Sequence, residues 1–373
     1  RNQACLDRHF KVADIANSRP VIVGAPTGLA EDLKRWRHFL EMDIPRSSGN
    51  VSASIGNAAN TQTVGTRDRV VYVGGNDGFL HAFLVGEVTG QYDTENKVAI
   101  EYDKIARDCT SADRERCHGQ ELWAYSPGML QESWGFLKAG HFYMIDGSPV
   151  VSDVLFTKGN ISPETNAASI CNRHNSNTCN DWEYRTVLLQ CLGIGGPGCF
   201  ALDVTNPYNP QLLWEREFTR QTNTTGNSAS APTARVTTTS RPQIHRVKRV
   251  VNGVAMPYYV GVMGGGMQEA LIGGAAGNRA GTLLVVGLED GAYWHSPASE
   301  LADADFAGTP TCIDASGDSY VDTCYILTTE ADIYKVRFTN SDPSQGMTVR
   351  KFFDGRRAVT QVHQDTANIL SYT

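Results

Sequence analysis

Residues 69–83 read Arg69-Val70-Val71-Tyr72-Val73-Gly74-Gly75-Asn76-Asp77-Gly78-Phe79-Leu80-His81-Ala82-Phe83. Two runs rich in β-branched and aromatic residues flank a centre made of Asn, Asp and Gly. Such centres are typical of hairpin turns, because these residues accept the backbone conformations that a tight turn requires. The stretch therefore predicts two antiparallel strands joined by a turn at Asn76-Asp77-Gly78, with His81 packed or hydrogen-bonded on the second strand.

This hairpin belongs to a unit of sequence that recurs along the chain. Each copy opens with a small residue and a proline, continues through an apolar strand, a glycine-rich turn and an alternating strand, and ends on a strand that carries an aromatic residue. The copies open at Ser18-Arg19-Pro20, Gly147-Ser148-Pro149, Ala231-Pro232 and Gly308-Thr309-Pro310, and they end at Trp123, Trp214, Trp294 and residues 349–353. Repetition of this kind indicates a repeat architecture.

Repeated units of four antiparallel strands are typical of β-propeller blades. We predict an all-β propeller of four-stranded antiparallel blades that forms one domain over residues 1–373 and is partial in this chain. The predicted blades cover residues 18–126, 147–217, 230–296 and 308–354, with the start of a further blade at 361–373.

The units are longer than a compact blade needs. Pro149, Pro232 and Pro310 are 83 and 78 residues apart, against ~40 to 45 residues for a compact blade. Long insertions therefore carry the excess, and the candidates are residues 84–119, 157–181 and 264–281. A helix is predicted over residues 29–39, where apolar residues recur at helical spacing, and we expect it to cover the propeller edge.

Composition excludes several classes of protein. The chain has 373 residues, of which 41% are hydrophobic and 20% charged, so it is long enough to bury a large core. A net charge of -7 argues against a nucleic-acid surface. No apolar run approaches the ~20 residues of a membrane-spanning helix. Because the first residue is Arg1, we expect a removed leader or a missing upstream region.

Eight of the nine cysteines fall into pairs at short spacing, and we predict that each pair forms a disulfide. These pairs are Cys109 with Cys117, Cys171 with Cys179, Cys191 with Cys199, and Cys312 with Cys324. Cys5 is left over: it pairs outside this segment or with another chain, or it is a free thiol. The density of pairs indicates an oxidising, periplasmic or extracellular setting. The spacings match neither zinc sites nor the haem-attachment motif.

Alternate residues with oxygen-bearing side chains lie between Cys312 and Cys324. They are Asp314, Ser316, Asp318, Tyr320 and Asp322, which correspond to positions 1, 3, 5, 7 and 9 of an EF-hand loop, where position 7 binds through its backbone carbonyl. Position 12 departs from that loop, because Tyr325 replaces the bidentate Glu and the flanking residues resemble strands. The spacing predicts a calcium loop on a β scaffold.

The alternative is an ordinary solvated hairpin, because Asp, Ser and Gly are also common in turns. Three carboxylates within nine residues favour the metal, since they repel one another unless a cation or solvent screens them. Without the Glu at position 12, we expect calcium affinity near the ~10⁻⁴ M of extracellular modules.

Four stretches carry recognisable motifs, beginning with residues 69–83. The others are Glu121-Leu122-Trp123-Ala124-Tyr125-Ser126-Pro127, Asp146-Gly147-Ser148-Pro149 and the run from Gly193 through Ala201-Leu202-Asp203-Val204-Thr205-Asn206-Pro207. In this order they resemble the PilY/PilC family of type IV pilus tip adhesins. Together they span nearly the whole chain.

The resemblance implies a C-terminal propeller of an exported protein at the pilus tip or cell surface. It implies a calcium ion held by Asp314, Ser316, Asp318, Tyr320 and Asp322, with Ser316 standing where Asn or Asp is commoner. It further implies minor pilins of the tip complex as partners, and roles in pilus biogenesis, in control of extension and retraction, and in adhesion to an unknown receptor. The family's propeller continues through further blades, so we expect this chain to be a fragment.

Two other functions stay open. Propellers include the quinoprotein dehydrogenases, whose Trp-ended repeats this chain shares, but we find no set of charged residues that would clamp a quinone cofactor. We also find no nucleophile elbow or zinc-protease helix, and therefore predict no catalytic residue. The remaining alternative is a purely structural extracellular propeller.

Overall fold

The computed structural model describes a large part of the chain. The described residues are 12–27, 33–45, 61–86, 92–93, 98–99, 119–131, 133–138, 140–157, 182–221, 233–235, 238, 240–251, 254–265, 282–297, 306 and 308–355. Wholly or mainly outside these ranges lie the three predicted insertions, the predicted further blade at 361–373, and Cys5, Cys109, Cys117, Cys171 and Cys179.

The described residues form one α-helix and 22 strands, joined in places by short 3-10 turns. In chain order these are β1 (Val21–Val23), α1 (Leu33–Glu41), β2 (Asp43–Pro45), β3 (Thr61–Thr63), β4 (Arg69–Gly74), β5 (Leu80–Gly86), β6 (Tyr92–Asp93), β7 (Val98–Ala99), β8 (Glu121–Tyr125), β9 (Val150–Thr157), β10 (Trp182–Cys191), β11 (Gly198–Asp203), β12 (Gln211–Glu217), β13 (Thr219–Gln221), β14 (Thr233–Arg235), β15 (Gln243–Val251), β16 (Val254–Gly265), β17 (Thr282–Gly287), β18 (Tyr293–His295), β19 (Thr311–Ile313), β20 (Thr323–Leu327), β21 (Ile333–Phe338) and β22 (Met347–Phe353).

Sixteen of these strands make four four-stranded sheets. The first sheet has the order β1-β4-β5-β8, the second β9-β10-β11-β12, the third β15-β16-β17-β18 and the fourth β19-β20-β21-β22. Neighbouring strands within each sheet are antiparallel. The chain is therefore all-β and built of repeated antiparallel sheets, as its repeated sequence predicts.

The predicted hairpin lies at the centre of the first sheet. Gly74 on β4 is the register partner of Leu80 on β5, and Gly75 N–H donates to the Phe79 carbonyl at 2.9 Å. Gly78 has φ +85°, a left-handed conformation that glycine adopts without steric cost. Asn76-Asp77-Gly78 is thus a turn, which agrees with the interpretation from sequence.

The third sheet begins later in the sequence than predicted. Its first strand is β15, which pairs along its whole length with β16, and it follows Pro242 directly. The segment Ala231-Pro232 predicted to open this unit instead precedes β14, which pairs with β13 in a separate two-stranded sheet. Sequence inspection missed β15 because it is rich in charged and polar residues and lacks a long apolar run.

The core lies between successive sheets. One cluster of buried side chains joins the first and second sheets, another the second and third, and a third joins the third and fourth. Strands β11 and β17 are buried at every position. A strand becomes apolar on both faces when a sheet packs against each side of it, so these strands mark the middle of the stack.

Helix α1 packs at one end of the second sheet. The helix covers Leu33–Glu41, which overlaps the predicted range of residues 29–39, and residues 28–32 lie outside the described ranges. The Trp36 ring lies edge-on to Tyr184 at 5.0 Å between centroids, and Phe39 is 3% exposed beside Leu155 and Ile44. The helix thereby covers apolar surface at the end of β9 and β10.

Two of the predicted cysteine pairs are disulfides in the structure. Cys191–Cys199 joins β10 to β11, and Cys312–Cys324 joins β19 to β20. In both cases the two cysteines are register partners across an antiparallel pair. The second bridge closes the loop that carries the predicted calcium ligands.

His81, which is 3% exposed, is held between two carboxylates of the first sheet. Its Nδ1 lies 2.6 Å from Glu121 Oε1 and its Nε2 3.2 Å from both Asp77 carboxylate oxygens. Burial disfavours the imidazolium, but hydrogen bonds and charges from Asp77 and Glu121 outweigh it, so the pKa of His81 lies above its ordinary value. His81 is therefore hydrogen-bonded, one of the two roles expected from sequence.

We expect Glu121→Gln to lower the pKa of His81 and to destabilise the fold mainly at acidic pH. A histidine with a raised folded pKa contributes stability that is fully present below its unfolded pKa of about 6.5 and is lost as pH rises through the folded pKa. The difference in unfolding free energy between wild type and variant should therefore be largest below about pH 6.5 and should shrink as pH rises through the folded pKa. Urea unfolding and NMR titration of the His81 ring test this.

The exposed His141, which pairs with Asp14, is the internal control in that titration. Its ring signals should be the same in both proteins. An unchanged pKa of His81 in Glu121→Gln would contradict the assignment of Glu121 as a cause of the shift.

We expect Cys312→Ala to lower the free energy of unfolding by about 2–3 kcal/mol, because the bridge restricts the unfolded chain. The variant keeps Cys324, which is fully buried. The loss of unfolding free energy therefore measures the contribution of the bridge more than a change in core packing. Urea denaturation without reductant measures it. Thr311→Ala, an exposed neighbour on β19, is the matched control and should change stability little. Equal stability of Cys312→Ala and Thr311→Ala would show that the bridge contributes nothing.

Candidate metal centre

The predicted calcium loop is the connection between β19 and β20 in the fourth sheet. It begins after Ile313 and ends at Thr323, and the Cys312–Cys324 bridge lies at its base. Gly317 and Ser319 have φ +76° and +69°. These left-handed residues reverse the chain sharply, so that the loop curls back over its own backbone.

Asp314 organises the first half of the loop. Its Oδ1 accepts hydrogen bonds from the backbone N–H groups of Gly317 (2.6 Å) and Asp318 (3.3 Å), and its Oδ2 accepts one from Ser319 N–H (2.6 Å). The Ser316 hydroxyl also donates to Oδ1 at 3.2 Å. Aspartate at the start of a turn commonly satisfies following N–H groups in this way, and here it gathers four donors.

Asp322 closes the second half of the loop against the first. Its carboxylate accepts hydrogen bonds from the N–H groups of Ala315 (3.2 Å) and Ser316 (2.9 Å), and the residue is 2% exposed. Burial opposes ionisation, but these bonds and others outweigh it and hold the pKa of Asp322 below its ordinary value. The loop therefore carries a charged carboxylate on its inner side at neutral pH.

Asp318 faces out of the loop toward the third sheet. Lys248, on β15, places its Nζ 2.6 Å from Asp318 Oδ2. Ser341 Oγ donates to the same oxygen at 3.3 Å, and Tyr320 N–H donates to Oδ1 at 3.0 Å. The Lys248 ammonium is the main cause of the lowered pKa of Asp318. The Asp318 carboxylate is therefore already paired with the Lys248 ammonium.

Tyr320 extends the contact between the loop and the third sheet. The Arg246 guanidinium lies 4.4 Å, and Lys248 Nζ 5.2 Å, from the centre of the Tyr320 ring. Val321 N–H donates to the Arg246 carbonyl at 2.9 Å. Cations over an aromatic face are attracted by its quadrupole, so the Tyr320 side chain binds the loop to β15.

A cavity of about 560 Å³ opens beside the loop. Ser316, Asp318 and Asp322 line it on the loop side, and Lys248 and Arg337 line it on the other. Asn340 and Ser341, in the turn after β21, border it with φ of 54° and 60°. Residues other than glycine are strained in the left-handed conformation and keep it only where surrounding contacts hold them. Such residues cluster at functional sites.

The donors fit calcium in kind, since the loop offers oxygen atoms and carboxylates, the ligands of a hard cation. Their arrangement differs from a finished site. Among the residues that the structure describes, no three acidic, histidine or cysteine side chains are grouped so that they could hold a metal ion. Asp314 and Asp322 face backbone N–H groups and Asp318 faces Lys248, so the three carboxylates share one loop without converging on one point.

Sequence reasoning missed Lys248, Arg246 and Ser341. Lys248 is 70 residues from Asp318 and lies on the strand that the repeat pattern did not reveal. No local signal marks it, because only the stacking of the third and fourth sheets brings the two side chains together.

Within the described parts of the chain, no helix is long and apolar enough to cross a membrane.

Comparison with known proteins places this chain in a family. Residues 169–369, more than half of the chain, match the family model described as the PilY1 beta-propeller domain. The chain is similar to the type IV pilus biogenesis factor PilY1 of Pseudomonas aeruginosa strain PAO1, with 30% identity over 214 residues, or 56% of this chain and 12% of that protein.

Other relatives give the same result. A PilY1 homolog from Xylella fastidiosa is 28% identical over 208 residues, which are 55% of this chain and 11% of that protein. PilY1 of Pseudomonas aeruginosa strain UCBPP-PA14 is 25% identical over 297 residues, or 76% of this chain and 19% of that protein. The aligned regions thus cover under a fifth of each relative's length.

A solved structure is also similar. The crystal structure of the Pseudomonas aeruginosa PilY1 C-terminal domain aligns with 88% of this chain and 50% of its own, at a TM-score of 0.46 and 22% identity. The match of more than half of the sequence to the family model, together with the four antiparallel sheets, identifies the chain as a member of the PilY1 β-propeller family.

Proposed function

We propose that this chain is the calcium-binding propeller of a type IV pilus biogenesis protein, and that it acts through protein contacts rather than catalysis. Family membership carries this proposal, because the relatives named above are type IV pilus biogenesis factors. The partners we propose are minor pilins of the pilus tip complex, and the wider roles are control of extension and retraction and adhesion to a surface receptor.

An extracellular location at the pilus tip or cell surface is part of the proposal. Two disulfides in the described residues support it, because such bonds persist in oxidising compartments and are rare in the cytosol. A rigid stack of sheets that presents loops at its edge also suits a protein that works by binding.

We further propose that Asp314, Ser316, Asp318, Tyr320 and Asp322 hold a calcium ion, with Tyr320 contributing its backbone carbonyl. The alternate spacing of oxygen donors in one loop supports this. The ion would neutralise the loop's carboxylates. Because Lys248 occupies Asp318 Oδ2, calcium and the Lys248 ammonium would compete for the same oxygen.

Isothermal titration calorimetry with calcium tests the site. We expect wild type to bind with a Kd near ~10⁻⁴ M, as extracellular modules do, and Asp318→Ala to bind at least about tenfold more weakly because it loses one charged ligand. Asp43→Ala, an exposed carboxylate on β2, is the control and should bind like wild type. Equal calcium binding by wild type and Asp318→Ala would remove the proposed site.

The same titration tests the competition. Lys248→Met removes the ammonium and leaves a side chain of similar length, so calcium binding should tighten by about tenfold, the effect of one lost charge contact. Lys335→Met, on β21 and away from the loop carboxylates, should leave the affinity unchanged. Equal affinities in the two lysine variants would contradict a direct exchange.

A cellular experiment tests the pilus role. Asp318→Ala in the full-length parent protein should alter twitching or surface attachment while the secreted protein keeps its wild-type stability. Unchanged twitching and attachment, with calcium binding lost in vitro, would separate the metal from pilus function and favour a purely structural propeller.

A further inference from the structure

The residues that open the four sheets form a repeat, of which the sequence revealed three copies and the structure the remaining one, Ser240-Arg241-Pro242. Each first strand is preceded directly by three residues that end in proline. They are Ser18-Arg19-Pro20, Gly147-Ser148-Pro149, Ser240-Arg241-Pro242 and Gly308-Thr309-Pro310. The middle residue alternates between arginine, in the first and third sheets, and a hydroxyl residue, in the second and fourth.

These four middle residues meet at one place. Arg19, Ser148, Arg241 and Thr309 all line a single cavity of about 400 Å³. Corresponding ends of propeller blades converge around a central channel, so equivalent positions of different blades face a shared space. The cavity is within the size range of small-ligand pockets.

The serine before each arginine is held by an equivalent hydrogen bond to the backbone. The Ser18 hydroxyl accepts a hydrogen bond from Gly74 N–H at 2.9 Å, and the Ser240 hydroxyl accepts one from Gly264 N–H at 2.6 Å. Gly74 and Gly264 lie at the corresponding ends of β4 and β16. The following prolines restrict the backbone further. The two Ser-Arg-Pro segments are therefore equivalent in structure as well as in sequence.

The hydroxyl positions differ in how far they are engaged. Ser148 Oγ accepts a hydrogen bond from Arg19 N–H at 3.0 Å, which ties the opening of the first sheet to that of the second. Thr309 is exposed. The cavity thus combines two guanidinium groups with a hydroxyl donor in an otherwise backbone-rich wall.

The charge of the cavity is positive, against the net charge of -7 of the chain. Both arginines are exposed, and within the described ranges neither guanidinium has an ion-pair or hydrogen-bond partner. Asp146 is the carboxylate of the lining. It is 4% exposed and already accepts hydrogen bonds from Asn17 N–H (3.2 Å) and Asn17 Nδ2 (2.8 Å).

A single exposed arginine is ordinarily a solvated side chain. Here two unpaired arginines border one cavity, and an anion between them would reduce the repulsion between their charges. The planar guanidinium matches carboxylate and phosphate oxygens with two parallel hydrogen bonds. An oxyanion would therefore satisfy both side chains together.

We propose that this cavity is an oxyanion-binding site, in which Arg19 and Arg241 hold a carboxylate, phosphate or sulfate group and Thr309 donates an additional hydrogen bond. The site lies at the opening of the sheets and shares no lining residue with the cavity beside the calcium loop. Its existence does not depend on calcium binding.

Isothermal titration calorimetry of the full chain with citrate, phosphate and sulfate, each against sodium chloride of equal ionic strength, tests the site. We expect at least one of the three anions to bind wild type above the chloride control, and the strongest of them identifies the preferred oxyanion. Arg19→Gln and Arg241→Gln should each weaken that binding by about 10- to 100-fold, the effect of losing a hydrogen bond between charged groups.

Arg350→Gln, an exposed arginine on β22 outside the cavity, is the matched control and should bind like wild type. Urea unfolding verifies that each variant is folded, and if one arginine variant fails to fold, the other carries the test. Absence of binding above chloride for all three anions would overturn the proposal. So would binding by the folded arginine variant that equals binding by Arg350→Gln.

Discussion

The two middle sheets of this protein, the second and the third, each have two apolar faces, and the rest of the structure depends on covering both. Strand β17 is buried at every position, and Val285 and Val286, which point to opposite faces, lie in different clusters. Burial of apolar surface contributes about 25 cal/mol per Å², so a sheet with both faces in water would lose that contribution. The sheets therefore stabilise one another, and their stacking sets the contacts between side chains of different sheets.

That stacking leaves little room where the sheets approach most closely. Gly261, on β16, is an example: a Cβ atom there would lie 2.3 Å from Leu189 Cδ2 of the second sheet. Close packing of this kind fixes how one sheet is placed against the next. Side chains at the edges of adjacent sheets therefore meet in defined pairs, even though they are far apart in sequence.

The candidate metal centre is a product of such a pairing. Its loop belongs to the fourth sheet, but Lys248 and Arg246 of the third sheet contact Asp318 and Tyr320. The neighbouring turn is tied back in the same way, because Asp342 Oδ2 accepts a hydrogen bond from Val250 N–H at 2.9 Å. A change in charge on the loop would therefore act on the contact between two sheets, and the proposed calcium ion would act through this contact.

Much of the fold could be predicted from sequence because its signals are local. Alternation of apolar residues marks strands, Asn76-Asp77-Gly78 marks a turn, and the spacing of Cys312 and Cys324 suits neighbouring strands. The polar strand β15 escaped detection, since its partners rather than its own composition make it a strand. For the same reason the sequence does not identify Ser240-Arg241-Pro242 as the opening of the third sheet, and it wrongly predicts the segment at Pro232 as that opening.

The sequence by itself determined the repeated antiparallel sheets, the cysteine pair at the base of the loop and the alternate oxygen-bearing residues from Asp314 to Asp322, because each depends on residues close together in the chain. Only the tertiary structure decided which groups face those oxygens and that Arg19 and Arg241 share a cavity. Both are contacts between different sheets, and their geometry follows from the packing of apolar faces. The spacing of residues along the sequence does not show which side chains of different sheets will meet.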